Sequence, residues 1–206
     1  MKRQLTIGSL FLGLLFNSAS ANESATDALL EHLDPVKYSQ GEFTQRLYGD
    51  GDEIIARTSG TFRMLKPSWF AWEIQAPDRQ LIISDPQHLW HFDEDLQTVT
   101  RRPVEGREEM APLQVLGGDA EVLRQRFDVV KVSPQKFRLS PKAGDPGFQS
   151  LTVEFEEQRI ARIEVLDSLN QRVEVRFQNV SNDTELTAAD FVFSPPEGAD
   201  LFYYDQ

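Results

Sequence analysis

From about residue 38 onward, apolar and polar side chains alternate with a period of two, in short runs separated by turn-forming residues. Leu151, Val153 and Phe155 oppose Thr152, Glu154 and Glu156, and Val173, Val175 and Phe177 oppose Glu174, Arg176 and Gln178. Such alternation gives each strand one buried and one solvated face. Gly49-Asp50-Gly51-Asp52, Ala76-Pro77-Asp78, Ser84-Asp85-Pro86 and Asp93-Glu94-Asp95 divide the runs. These are turn signals, and they predict an antiparallel meander. Later strands are expected over 137–139, 151–155, 159–166, 173–177 and 191–193. Two stretches break the period. Residues 24–33 place Ala25, Ala28, Leu29 and Leu33 on one helical stripe, between the capping Ser24 and the stop at Pro35. Over 111–127, Leu113, Leu116, Val122, Leu123 and Phe127 predict a short helix, a break at Gly117-Gly118 and a second helix capped by Asp119.

A sheet this long, wet on one side and apolar on the other, has only those short helices to cover its apolar side. The expected fold is mainly β (α+β): a single strongly curved antiparallel sheet forming an unclosed barrel, its apolar concave face under a short-helix lid. Without an internal repeat or linker, residues 22–206 read as a single half-barrel domain. Residues 1–21 read as a cleaved secretory signal peptide. Lys2 and Arg3 precede an apolar run over 5–16, and Ala19-Ser20-Ala21 forms the cleavage pattern. The apolar run is shorter than the roughly 20 residues of a membrane-spanning helix.

Charge and cysteine content narrow the function. Removing the signal segment takes away two positive charges and no acidic ones, moving the formal net charge from −12 to −14. That balance argues against nucleic acid as a partner and against stable adsorption to anionic lipid. The chain has no cysteine, which excludes disulfides, thiolate metal sites and a thiol nucleophile. It also excludes the acylated cysteine of a bacterial lipoprotein. His88 and His91 are an odd number of residues apart on a predicted strand and point to opposite faces, so they do not share a metal. No nucleophile elbow, phosphate-binding glycine loop or calcium loop is present. The sequence offers no catalytic or metal-binding residues and implies no cofactor.

What stands out is Trp69-Phe70-Ala71-Trp72-Glu73-Ile74. Phe70, Trp72 and Ile74 share one face of a strand, Trp69 and Ala71 the other. Phe62 and Met64 precede them, with Lys66 next on that side, and Trp90 shares a face with His88 and Phe92. An aromatic cluster can be ordinary core or a ligand surface. Strand parity groups these residues without deciding which face is concave.

The series Gly60-x-Phe62, Lys66-Pro67-x-x-Phe70-x-Trp72, Gln80-Leu81-Ile82-Ile83-Ser84-Asp85 and Leu89-Trp90 resembles the periplasmic outer-membrane lipoprotein carrier family, LolA. Phe43-Thr44-Gln45, Leu139-Ser140-Pro141-Lys142-Ala143 and the stretch from Phe191 to Gly198 resemble further family segments, so the likeness spans nearly the whole mature chain. It implies an unclosed barrel with an apolar hollow under a helical lid. It also implies a monomeric, non-enzymatic periplasmic shuttle, without stable membrane insertion. The shuttle would accept triacylated lipoproteins from an inner-membrane lipoprotein-releasing ABC transporter and pass them to an outer-membrane acceptor lipoprotein. The acyl-chain hollow is then expected to involve Phe62, Met64, Phe70, Trp72, Ile74, Trp90 and Phe92, and the lid Leu29, Leu33, Leu113 and Leu116. Where well-known members carry an arginine that bonds the lid backbone, this chain has Lys66. It is expected either to reach the lid near Leu33 as a latch or to lie along a strand end. A lipid or lipoprotein sensor on the same half-barrel and a secreted hydrolase are the alternatives.

Overall fold

The computed structural model describes residues 24–49, 52–104, 115–142 and 148–204; the expected signal peptide lies outside them. Helix α1 (Ala25–Leu33) starts as its sequence requires, Ser24 Oγ accepting from the Asp27 amide at 3.1 Å. It is followed by β1 (Tyr38–Tyr48), β2 (Ile54–Leu65), β3 (Trp69–Ala76), β4 (Gln80–Ser84), β5 (His88–Asp93) and β6 (Thr98–Pro103). Helix α2 (Ala120–Arg126) has Asp119 as its cap, accepting from the amides of Glu121 and Val122. Then come β7 (Phe127–Ser133), β8 (Lys136–Pro141), β9 (Phe148–Glu156), β10 (Arg159–Asp167) and β11 (Arg172–Ser181), a 3-10 turn (Ala188–Phe191), and β12 (Asp200–Tyr203).

All the strands join one sheet in the order β12-β6-β5-β4-β3-β2-β1-β11-β10-β9-β8-β7. The edges, β12 and β7, do not pair, so the curved sheet stays unclosed. Every pairing is antiparallel except β12 with β6. Glycine permits one close approach: a Cβ on Gly60 would stand 1.8 Å from the Glu73 carbonyl oxygen on β3.

Register carries side-chain faces around the curve. Phe43 pairs with Gly60 and Phe177, Phe62 with Trp72, and Trp72 with Ile82. The concave face thus gathers Phe43, Phe62, Met64, Phe70, Phe137 and Phe155 into the main core, roofed by Leu29, Leu30 and Leu33 of α1 and Leu123 of α2. Two cross-links tie α1 to that side. Arg124 of α2 pairs with Asp27 at 2.7 Å, and the His32 ring stacks on Phe155 with Nε2 3.1 Å from the Pro134 carbonyl oxygen.

The convex face differs from the uniformly wet surface expected. Over β2 to β5 it carries a second core: Leu65, Ala71 and Ile83 packed with Leu186 and Phe191, and Trp69, Trp90 and Phe193 against them. Residues 191–193 were expected as a strand; instead Phe191 closes the 3-10 turn and Phe193 packs against Trp90. The prolines at 195 and 196 have no N–H to offer a ladder. The strand forms later, as β12. The β7 strand was likewise not foreseen: Phe127, assigned by its helical spacing to α2, begins it.

Over β1, β10 and β11 the convex face is charged. Glu174 is 2% exposed yet has Arg46, Arg162 and Arg176 nitrogens at 3.7, 2.7 and 2.9 Å. Burial alone would raise its pKa; the three guanidiniums outweigh that and hold it below the usual carboxylate value.

Gly60→Ala tests the close approach of β2 and β3. The methyl would displace a ladder carbonyl at a cost of about 1–3 kcal/mol, with about 2–4 °C lost from the melting temperature per kcal/mol. An unchanged melting curve by circular dichroism would contradict the register.

Candidate functional site

Strand β3 sets the floor of the site. The Trp72 ring stacks on Phe43 at 3.7 Å between centroids and on Phe70 at 5.8 Å, and meets Phe177 edge-on at 6.2 Å. Offset and edge-on aromatic pairs add about 0.5–1.5 kcal/mol each beyond area burial, so this floor is rigid. Beside it is a cavity of about 310 Å³. Phe70, Trp72, Ile82 and Leu89 line one arm; Ile163, Val165, Val173, Val175 and Phe177 line the other, with Leu116 also in the wall. Gln45, His91 and Arg102 bring the polar groups.

The expected lining residues separate into three sets. Phe70 and Trp72 face the cavity. Phe62, Met64 and Ile74 are on the same face but packed in the core around it. Trp90 and Phe92 are a correction: they lie on the convex face, with Phe193 at 5.6 and 5.9 Å. The physical reason is the β4–β5 connection. Ser84 pairs with Leu89 and Ile82 with His91, so the odd residues of β5 take the concave face. Leu89, His91 and the aliphatic wall from β10 and β11 were missed. Tracing face parity across each turn from Trp72 would have found Ile82, and the β11 alternation already grouped Val173, Val175 and Phe177.

Among the expected lid residues, Leu29, Leu33 and Leu116 are buried at 0, 3 and 5% exposure; Leu113 lies outside the described residues. Lys66, at the end of β2, donates from Nζ to the Leu33 carbonyl oxygen at 2.5 Å. That carbonyl belongs to the last turn of α1, where intrahelical donors run out, and it also accepts from the Val36 amide at 3.0 Å. Half-burial lowers the Lys66 pKa, opposed by Asp34. Gly118 completes the junction. It has φ +69°, and a Cβ there would be 2.8 Å from Lys66 Nζ and 3.3 Å from Leu33 Cβ. Three segments therefore meet at one ammonium: the end of α1, the end of β2 and the glycine turn before α2.

His91 is the titratable ring in the cavity wall. Its Nε2 is 3.0 Å from Gln80 Oε1. Burial lowers its pKa below 6.5, Arg102 in the same direction and Asp93 against it. Because the unfolded chain then binds a proton more readily, folding stability falls as pH drops below about 6.5. His91→Asn should flatten that acid limb of the thermal-stability profile; parallel wild-type and variant profiles would contradict the burial.

The family model described as "Outer membrane lipoprotein carrier protein LolA" matches residues 34–194. Curated relatives named outer-membrane lipoprotein carrier protein include one from Chromohalobacter salexigens, 30% identical with 89% of each chain covered. Another, from Alkalilimnicola ehrlichii, is 31% identical over 94% of this chain and 91% of its own. A solved LolA superfamily protein from Nitrosomonas europaea superposes with a TM-score of 0.53 at 13% identity, covering 82% of this chain and 97% of that one. An uncharacterized conserved protein from Thermus thermophilus gives 0.55 at 12%, covering 87% and 99%. Those two likenesses bear on the fold alone, but the family match spans well over half the sequence, and the chain belongs to the outer-membrane lipoprotein carrier family, LolA.

Proposed function

We propose that this protein is a periplasmic lipoprotein carrier that shields acyl chains in its concave face, taking them from an inner-membrane ABC transporter and yielding them to an outer-membrane acceptor lipoprotein. It works by binding, without a catalytic step. The observation that carries the reading is an apolar cavity with Leu116 in its wall, beside a core roofed by Leu29, Leu30 and Leu33 of α1, whose end is bonded by the Lys66 ammonium. The names of the curated relatives support the cargo class. The triacylated form, the donor and the acceptor follow from the resemblance of the sequence to the family.

The chemistry is that of transfer from water. Each methylene shielded contributes about 0.8 kcal/mol, so a chain of about fifteen methylenes gains roughly 12 kcal/mol when covered. Lifting α1 uncovers Leu29, Leu30 and Leu33, at about 1.5–3 kcal/mol each. One acyl chain therefore offsets the loss of the helix. Phe70 and Trp72 shield without demanding one chain conformation, since a flat ring face has no register to match.

In this reading Lys66 is the lid latch. A hydrogen bond from a charged donor contributes about 1.5–3 kcal/mol, and half-exposure sets this one near the lower figure. Lys66→Leu should raise amide exchange in α1 about tenfold and tighten binding of a synthetic tripalmitoyl-cysteinyl peptide, slowing its release to an acceptor. Unchanged exchange and release would refute the latch. Phe70→Ala should weaken displacement of a fluorescent fatty acid by that peptide. Wild-type displacement in Phe70→Ala would remove Phe70 from the site, and failure of the wild-type protein to bind the peptide would overturn the carrier reading.

A further inference from the structure

Strands β10 and β11 stop pairing before either one ends. Their ladder runs from Leu166 with Arg172 to Arg162 with Arg176, yet β10 begins at Arg159 and β11 continues to Ser181. A bulge on each strand lies just beyond the last pair. Ala161 is the extra residue where β10 meets β9, between Ile160 opposite Phe155 and Arg162 opposite Glu154. On β11, Asn179 and Val180 together stand against Gly41 of β1, between Gln178 opposite Glu42 and Ser181 opposite Gln40, and Asn179 takes φ +52°. Bulges bend the strand that carries them and disrupt its pairing, so the two strands diverge. A cavity of about 710 Å³ occupies the divergence, with Ile160 and Ala161 on one side and Phe177, Gln178, Asn179 and Val180 on the other. Asn182 bridges its outer end, Nδ2 donating to the Gln158 carbonyl oxygen at 3.3 Å.

We propose that this gap binds the polypeptide that follows the acylated cysteine of the cargo, as an extended segment paired to the facing edges of β10 and β11. This rests on the carrier reading above and adds a site for the part of the cargo that is not lipid. Phe177 lines both the gap and the apolar cavity, so the two adjoin at that residue. An acylated protein is built the same way, its chains and its polypeptide meeting at one residue. The gap offers what a peptide needs, because strand edges without a neighbour present backbone donors and acceptors. Its side chains have partners of their own. Arg159 pairs with Glu157 at 3.5 Å, and Asn179 Nδ2 donates to Glu42 at 3.1 Å, which leaves recognition to the backbone. Strand addition draws its affinity from main-chain hydrogen bonds, so linkers of unrelated sequence fit equally. The free stretch of β10, Arg159 to Ala161, matches a segment of about three residues, roughly 10 Å of extended chain.

The test separates peptide from lipid. The full mature chain, loaded with a fluorescent fatty acid, is titrated with tripalmitoyl-cysteinyl peptide and with the same lipopeptide N-methylated along its peptide backbone, which keeps the lipid and side chains but lacks the backbone donors. The wild-type protein should prefer the unmethylated form about tenfold. In Ala161→Trp, which puts an indole in the gap, that ratio should fall towards one. A nitroxide on the peptide should broaden the amide resonances of Ile160, Ala161, Gln178 and Asn179. Equal wild-type affinity for the two lipopeptides, or broadening at the β7 or β12 edge instead, would overturn the peptide site while leaving the carrier reading in place; displacement by neither lipopeptide would overturn both. The peptide without its acyl chains should leave those four resonances unmoved at the same concentration. Equal binding of that bare peptide would assign the gap to a strand of some other protein and overturn the link to cargo. Should Ala161→Trp not fold, the wild-type ratio and the broadening decide.

Discussion

The structure depends on how a concave apolar face is kept from water in a sheet that does not close. Edges β12 and β7 never meet, so the curvature that would seal a barrel leaves one side needing a cover. The chain supplies it with α1, α2 and Leu116, and the cover is thin: Leu29, Leu30 and Leu33 are the large side chains α1 buries. In the reading proposed above, a fatty chain shielded at roughly 0.8 kcal/mol per methylene competes with the helix for that surface. The empty and loaded proteins would then be two ways of covering it.

The convex face frees the concave one for that exchange. Leu65, Ala71 and Ile83 pack beneath Leu186 and Phe191, so this part of the fold does not use the lid at all. Beyond it, the Glu174 cluster with Arg46, Arg162 and Arg176 ties β1, β10 and β11 together across the back of the half-barrel. Lifting α1 would uncover the concave core that it roofs and leave both of these assemblies intact. The ion pair from Asp27 to Arg124 holds the start of α1, while its last turn is held both by His32 against Pro134 and Phe155 and by Lys66 at the Leu33 carbonyl.

Much of this was legible because period-two patterning and caps are local. Ser24, Asp119 and the alternation of β9 and β11 each announce an element from a few adjacent residues. Even the partner of Lys66 followed from aligning one residue with one helix end. Faces were harder to read. Phe70 and Trp72 were placed together, but Trp90 and Phe92 went to the wrong side because the parity of β5 is set by the β4–β5 connection, not by composition. β12 was invisible for a different reason. Leu201, Phe202 and Tyr203 are all exposed, with no alternation to detect, and pair in parallel with a strand about a hundred residues earlier. The polar cavity groups Gln45 and Arg102 carry no local signal either; only the curvature of the sheet brings them to one hollow.

Lid displacement by a fatty chain can be measured directly, since the absence of native cysteine makes introduced thiols unique. Spin labels at Glu31 on α1 and Arg57 on β2, both exposed, report the distance between helix and barrel by pulsed electron resonance. Adding tripalmitoyl-cysteinyl peptide should lengthen and broaden that distance as the fluorescent fatty acid is displaced. An unchanged, narrow distribution with the peptide demonstrably bound would contradict a hollow that must be uncovered to be filled.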